Sequence, residues 1–330
     1  MIDLRRLHVL RVLDEHGTVT GAAAALHLTP SAVSQHIRLL ARDLGVDLLE
    51  RVGRGVRLTA AARVLLGHAD ALYADWERAL ADVSGGRTDG AGVPLRLCGF
   101  PTALATLLAP AAARLRDGPA PPAVELIEAA NDRCFDLLLV GSADIAVVLP
   151  APGTPARDDP RFDQRPLLRD PFDLVVPAHH RLARADAVDL AEAADEPWIA
   201  APEGPGSALL LIACTAAGFT PRIAHRAEDG NAVVALVTHG FGVCLMPRLA
   251  PLPAHHGVVR LPLRGDPVPS RQVLTCVRRG SRDQAGIARG LAALAQVGTR
   301  FPPPLVPGRG HDAHDETAPH RHTYTAPNTP

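Results

Sequence analysis

The chain contains no lysine: all 34 of its basic residues are arginine. In a sequence so rich in alanine, glycine and proline, this reads as nucleotide bias and not as a functional choice. Aromatics are scarce at 3%, which argues against the stacking platforms of single-strand and RNA binders. Net charge is nearly absent, since 34 basic residues face 35 acidic ones. That excludes a chain basic throughout, but not a local basic patch. The five cysteines (Cys98, Cys134, Cys214, Cys244, Cys276) are odd in number, widely spread and free of C-x-x-C pairs, against a disulfide framework or a zinc ribbon. No run reaches the ~18 apolar residues of a membrane span; the longest candidate, Ala232 to Met246, is broken by Thr238 and His239. Asp3, Arg5, Arg6, Arg11 and Asp14 interrupt any secretory h-region. The expectation is a cytoplasmic protein with no membrane partner. G-x-S-x-G, H-E-x-x-H and P-loop motifs are also missing, so no enzyme, catalytic residue or cofactor is expected. The His179-His180 and His255-His256 pairs and the histidines of the tail have no ligand cluster around them, and no metal site is assigned.

What is present falls into regions. At 330 residues the length suits two or three domains, and 47% hydrophobic with 21% charged residues reads as globular. Residues 1–84 read as helical with one small strand pair. Ser84 to Gly92 is Gly-rich and reads as a flexible linker. From Val93 to about Arg300, short apolar strands alternate with Ala-rich helices, an α/β pattern. Residues 302–330 hold too few large apolar groups to offset their ordering entropy, and a disordered tail is expected.

In the first region, Leu4, Leu7, Leu10 and Leu13 mark one face of a helix that stops at Gly17. A short helix over Gly21–Leu26 follows, with Thr18 or Thr20 as its cap. Thr29 caps a third helix, Pro30 occupying the first helical position where its missing N–H costs nothing. Val33, Ile37, Leu40 and Leu44 pack inward, while Ser31, Ser34, Gln35 and Arg38 share the opposite face. Small residues followed by Gln and Arg suit a helix entering a major groove, where those side chains bond base edges. The next segment, LLERVGRGVRLT over 48–59, reads as a hairpin wing carrying Arg51, Arg54 and Arg57, placed for phosphate or minor-groove contact. Residues 1–66 hold nine arginines against six acids, a local excess of +3. Ala62, Leu65, Ala69, Leu72, Trp76, Ala79 and Val83 then recur at alternating steps of three and four, the seam of a coiled coil over a long helix starting at Thr59.

This order resembles the N-terminus of LysR-type transcriptional regulators. Ala22-Ala23, Leu26, Thr29 to Ser34, Ile37, Leu40, Leu44-Gly45, Leu48, Glu50-Arg51 and Leu58-Thr59 carry the likeness. Leu7 and Ala61 depart from the family's habits in packing positions only. The resemblance implies a multi-domain α/β protein: residues 1–58 a winged helix-turn-helix, 59–92 a dimerisation helix and hinge, and 93–301 an effector domain like a periplasmic binding protein. Lobe I is expected at about 93–163 and 262–301, and lobe II at about 164–261. It implies double-stranded promoter DNA, a small-molecule effector, RNA polymerase and a second or further copies of the chain as partners.

Within 93–301 the order β-α-β-α-β implies a parallel sheet with right-handed crossovers. VVRLPL and QVLTCVRR are expected to cross back to lobe I. Two helix starts, Pro101-Thr102 and Gly204 to Ser207 with Gly206 between, offer N–H groups and hydroxyls that suit an anionic effector; Asn231 joins them. Thr102 and Ser207 read equally as plain N-caps. A class-distinct alternative is a solute-binding or enzymatic α/β domain with a helical extension, which leaves the pairing of reading helix and Arg wing unexplained.

Overall fold

The computed structural model describes residues 3–26, 28–52, 55–84, 94–118, 121–202, 204–252, 257–265 and 267–301. The expected tail, most of the Gly-rich linker and Arg54 lie outside them.

Three helices build the head: α1 (Leu4–His16), α2 (Val19–Leu26) and α3 (Pro30–Leu44). Asp3 caps α1, and Gly17 ends it in the left-handed conformation. Thr18 accepts from the Gly21 N–H at 3.0 Å, so α2 begins two residues before the expected Gly21. Thr29 caps α3 through the Ala32 N–H, and Gly45 closes it at φ 68. Strands β1 (Leu49–Val52) and β2 (Gly55–Leu58) form the hairpin, with Glu50 facing Arg57 across it. Val33, Ile37 and Leu40 join Leu7, Leu10 and Leu13 in one apolar core, which the start of α4 (Ala60–Ser84) closes with Ala62, Leu66 and Ala69.

That last contact divides the expected seam. Ala62 and Ala69 are buried in the chain's own core, and Leu65 packs on its edge. Leu72, Trp76 and Val83 are 51%, 54% and 77% exposed, and Ala79 is exposed beside them. Ala69 is therefore a packing residue and not part of a free stripe, because the 3.5-residue period is shared between two faces.

Beyond the linker, β3 (Leu95–Gly99) lies between β4 (Val124–Glu128) and β5 (Ile145–Val148), all parallel. From β3 the chain enters α5 (Pro101–Ala103), a π-turn (Leu104–Leu108) and α6 (Ala109–Arg116). Pro110 has no N–H for an ordinary helical bond and its ring would crowd the preceding turn; the widened turn before it relieves both. Helix α7 (Asn131–Leu139) and α10 (Ala285–Gly298) cover the sheet.

Lobe II holds β7 (Pro197–Ala200), α8 (Pro205–Ala216), β8 (Arg222–Arg226), α9 (Gly230–Thr238), β9 (Cys244–Pro247) and β10 (Val258–Pro262). The lobes are joined by β6 (Phe162–Pro177) and β11 (Ser270–Arg278), which pair antiparallel from Phe162 to Pro171. An extra residue, Leu167, bulges from β6 where the register shifts. From Phe172 to Pro177 β6 turns to β9 and β10 instead.

Three expectations change here. Residues from about 164 on, expected in lobe II, belong to a single strand over 162–177 that serves both lobes. VVRLPL does not cross back, since β10 stays beside the lobe II half of β6 and only β11 returns. The lobe boundary accordingly falls near Pro171–Phe172, with Leu168 in the lobe I core and Leu263 in that of lobe II. A 16-residue strand spans about 53 Å at 3.3 Å per residue, long enough to serve two cores.

Candidate nucleic-acid interface and effector site

Helix α3 presents a polar face shaped by its own backbone bonds. The Thr29 hydroxyl lies 3.0 Å from that of Ser31, and Ser34 Oγ donates to the Pro30 carbonyl at 2.9 Å. Both serines are thereby held low against the helix, and the backbone can approach a groove closely. Gln35 and Arg38 are exposed. Arg38 Nε donates to the Ser34 carbonyl at 3.3 Å, which lays its guanidinium along the helix. The Gln35 amide has no hydrogen-bond partner among the described residues. Gln35 and Arg38 thus carry the donors and acceptors available for base edges.

The wing is less free than its sequence suggests. Arg57 Nε and Nη2 both reach Glu50 Oε1, at 2.9 and 2.8 Å, so part of its charge is already compensated. Both partners are exposed, and a phosphate can compete for this arginine. Arg51 lies on β1. Exposed Arg42 and Arg63 add positive charge at the rim that the motif reading did not use.

In the sensor, the helix starts stand at the carboxyl ends of parallel strands. Phe100, not Thr102, is the N-cap of α5 and offers no side-chain bond; Pro101 and Thr102 are in the first turn. Gly204, at φ 101, is the N-cap of α8 and likewise offers none, which places Gly206 and Ser207 inside the helix. The plain N-cap reading of both hydroxyls is therefore wrong. The strands β7 and β8 are parallel and closed by the Ala227 N–H donating to the Ala200 carbonyl at 3.0 Å, so α8 and α9 begin at the same end. Asn231 differs from the others: Asp229 already caps α9 through the Ala232 N–H at 2.9 Å, and an anion there meets a carboxylate. Asn231 is exposed.

Sequence reasoning missed the groups at the lobe crossing. Arg271 Nε donates to Asp170 Oδ2 at 2.9 Å, and Asp170 Oδ1 accepts from the Leu249 N–H at 2.9 Å. The guanidinium lies 5.1 Å from the Phe100 ring centre and 5.8 Å from that of Phe172. Burial raises the Asp170 carboxyl against the pull of Arg271. Arg271 Nη2 is buried with no hydrogen-bond partner, beside the residue that opens α5. Nothing in a single sequence pairs two residues 101 positions apart.

The cysteines do not form a reactive site. All five are buried and free. Burial pushes Cys214 and Cys244 up to about 12 and raises Cys276 as well; a hydrogen bond to Cys134, then burial, raises Cys98. Among the described residues no cluster of His, Cys, Asp and Glu could hold a metal ion, and no helix is long and apolar enough to cross a membrane.

Comparison with known proteins divides the chain in the same place. Residues 4–63 match the bacterial regulatory helix-turn-helix of the lysR family, and residues 89–298 match the LysR substrate binding domain. The chain belongs to the LysR family. Over 292 residues it is 30% identical to the HTH-type transcriptional regulator ShiR of Corynebacterium glutamicum, covering 85% of this chain and 95% of that one. It is also 30% identical to a probable hydrogen peroxide-inducible genes activator of Mycobacterium avium, over 87% and 91% of the two chains. Among solved structures, a full-length OxyR variant from Pseudomonas aeruginosa shares the fold with a TM-score of 0.62 at 20% identity, covering 91% and 95%. CbnR bound to its target DNA shares it at 0.53 and 22%, over 90% and 100%. This LysR-family protein is a DNA-binding transcriptional regulator with an effector-binding domain, and not an enzyme.

Proposed function

We propose that this regulator reads a dyad-related promoter site as a homodimer or homotetramer and is switched by a small anionic effector bound between its lobes. The Gln35 and Arg38 face of α3 enters the major groove, and the wing arginines Arg51, Arg54 and Arg57 contact phosphate. The exposed stripe Leu72, Trp76, Ala79 and Val83 on α4 pairs with a second copy. Leu211 and Ile212 on α8, 46% and 70% exposed, form a second apolar patch of the kind that marks contacts between subunits. An altered spacing of the reading heads then changes the DNA bend and the contact with RNA polymerase, in the cytoplasm where the promoter is.

The observation that carries the anionic reading is the buried, unpartnered Nη2 of Arg271 beside Phe100. A donor left so costs about 1–3 kcal/mol, and a carboxylate between the uncapped starts of α5 and α8 supplies the acceptor. Its differential affinity for one lobe arrangement is what shifts the equilibrium. The response named for the Mycobacterium avium protein is not carried over. Peroxide sensing through a thiol needs an accessible thiolate, and these thiols are buried.

The test is a gel-shift on the protein's own upstream DNA, with sedimentation alongside. Leu72→Glu with Trp76→Glu changes exposed residues only, so each chain should still fold while sedimenting as a monomer and losing dyad binding. A stable dimer in the double variant sinks the pairing. A thermal-shift screen of small carboxylates on wild type and Arg271→Met tests the effector class: a carboxylate that stabilises both equally places the site elsewhere.

A further inference from the structure

Two charged pairs join parts of the chain that lie far apart in sequence. Arg161, immediately before β6, donates from Nη1 to Glu15 Oε1 on α1 at 2.7 Å. Arg278, the last residue of β11, donates from Nε to Glu77 Oε1 on α4 at 2.7 Å. Gln284 Nε2 holds the second oxygen of Glu77 at 2.6 Å. Both arginines are braced from behind. Asp159 takes Nε and Nη2 of Arg161 at 2.9 and 2.8 Å, and the Leu138 and Ala143 carbonyls take Nη1 of Arg278 at 3.0 and 2.8 Å. The turn at Gly280 (φ 89) lies against α4 so closely that a Cβ there would stand 2.3 Å from the Ala74 carbonyl oxygen. A cavity of about 60 Å³ remains among these groups, lined by His8, Arg11, Tyr73, Glu77, Arg161 and Arg278 among others. Arg161 and Arg278 stand at the lobe I ends of the same two strands that cross between the lobes.

We propose that Arg161 and Arg278 form a pH-sensitive clasp that holds the reading head and linker helix on lobe I. Glu15 is its proton switch. One of its oxygens, Oε2, is buried with no hydrogen-bond partner, a poor place for a charge. Burial outweighs the attraction of Arg161 and Arg11, and the acid is raised to about 7, with Asp136 and Asp14 adding to the rise. Of the other groups at the junction, Asp159 is engaged by Arg161, and Asp70 pairs with Arg11. Burial, then Arg11 and Arg278, hold His8 below its usual value, so it stays neutral above pH 6.5.

Release returns Glu15 toward its ordinary 4.5, so the clasped form binds the extra proton. The proton's contribution is complete below pH 4.5 and is lost as the pH rises through about 7. From pH 6.5 to 8.5 the ratio of clasped to released protein falls about fourfold on these values. The clasped form passes any movement of the crossing strands to the head; the released form frees the head from the sensor. None of this depends on which effector fills the cleft.

A single reactive thiol reads the clasp directly, because the native cysteines are buried. Ala74→Cys, at a position 6% exposed on the cavity wall, is treated in the full-length protein with a thiol reagent. Its rate is divided by that of Arg116→Cys, an exposed position on lobe I, to remove the reagent's own pH dependence. The normalised rate should rise about fourfold between pH 6.5 and 8.5. Adding Glu15→Gln should flatten that rise, and adding Arg161→Met with Arg278→Met should bring the rate near the exposed control at both pH values. A rate unmoved by losing both arginines overturns the clasp, and a pH rise that persists in Glu15→Gln overturns its switch. Leu139→Cys, which lines the cavity from lobe I, repeats the reading if Ala74→Cys melts early.

Discussion

Every helix of the reading head starts on a side chain, and most helices of the sensor do not. Asp3, Thr29 and Thr59 accept from the first turns of α1, α3 and α4, and Thr18 does so for α2. Phe100, Ala130, Gly204 and Gln284 open α5, α7, α8 and α10 without a side-chain cap bond; Asp229 caps α9, and Asp189 with Glu192 closes a capping box on the short 3-10 turn Leu190–Ala193. Free N–H groups at a helix start are satisfied by water, by a cap or by a ligand. The head closes its helix starts with its own side chains, whereas the sensor leaves most of its starts to water or a ligand. The interiors differ in the same sense. The head's core is apolar, while lobe II and the hinge bury Asp173 and Asp170 at 0% and 1% exposure beside arginines. Such pairs hold geometry more than they add stability.

The contrast breaks most visibly at Asp173. Its carboxylate meets Arg248 and Arg260, so Asp173→Ala leaves two cations without their buried counter-charge and should cost about 3–5 kcal/mol in urea unfolding. A loss within 0.5 kcal/mol, the range of an ordinary surface change, would show that the sensor does not rest on its buried ions.

In the head, Gln35→Ala and Arg38→Ala should each weaken operator binding by about 1–3 kcal/mol while leaving non-specific binding nearly unchanged. Arg57→Ala should weaken all sequences alike and lower the salt slope by up to about one, less if Glu50 keeps its claim on that arginine. If both helix variants bind the operator like wild type, α3 is not the reader.

The caps give a smaller and sharper contrast. Thr29→Ala should destabilise the head by about 1 kcal/mol. Thr102→Val should leave the melting temperature unchanged, since Phe100 and not Thr102 stands at the cap, yet remove the response to an effector that bonds its hydroxyl. Equal melting losses in the two variants would erase the distinction between a finished head and an open sensor. Smallest of all, the native protein should show almost no reaction of its five thiols with iodoacetamide at pH 7.5, because all five are buried; rapid labelling of any one would reopen a redox reading.

The head was legible because its signals are short in range. Thr29-Pro30 and Gly45 bound a helix, Val33, Ile37 and Leu40 repeat on one side of it, and each inference spans a turn or two. The α4 stripe was legible only in part: a 3-4 spacing shows that a face is apolar, but not whether its own core or a second copy covers it. Ala69 went to the core and Trp76 to the surface. QVLTCVRR crosses back as its order implies, but VVRLPL stays in lobe II and β6 serves both lobes, because an apolar run carries no mark of the lobe it serves.

Capping, periodicity and turn formation act between neighbours, so most of the helices, the hairpin, the local basic charge of the head and the chemistry offered on α3 can be read from the chain alone. That Arg271 meets Asp170, that Asp173 meets Arg248, and that Arg161 and Arg278 reach Glu15 and Glu77 follows from the assembled fold. Partners 75 to 201 residues apart leave no periodic trace. A charge is also compatible with solvent until packing removes it, so burial, which sets the pKa of Glu15 and orphans a nitrogen of Arg271, is a property of the assembled fold alone.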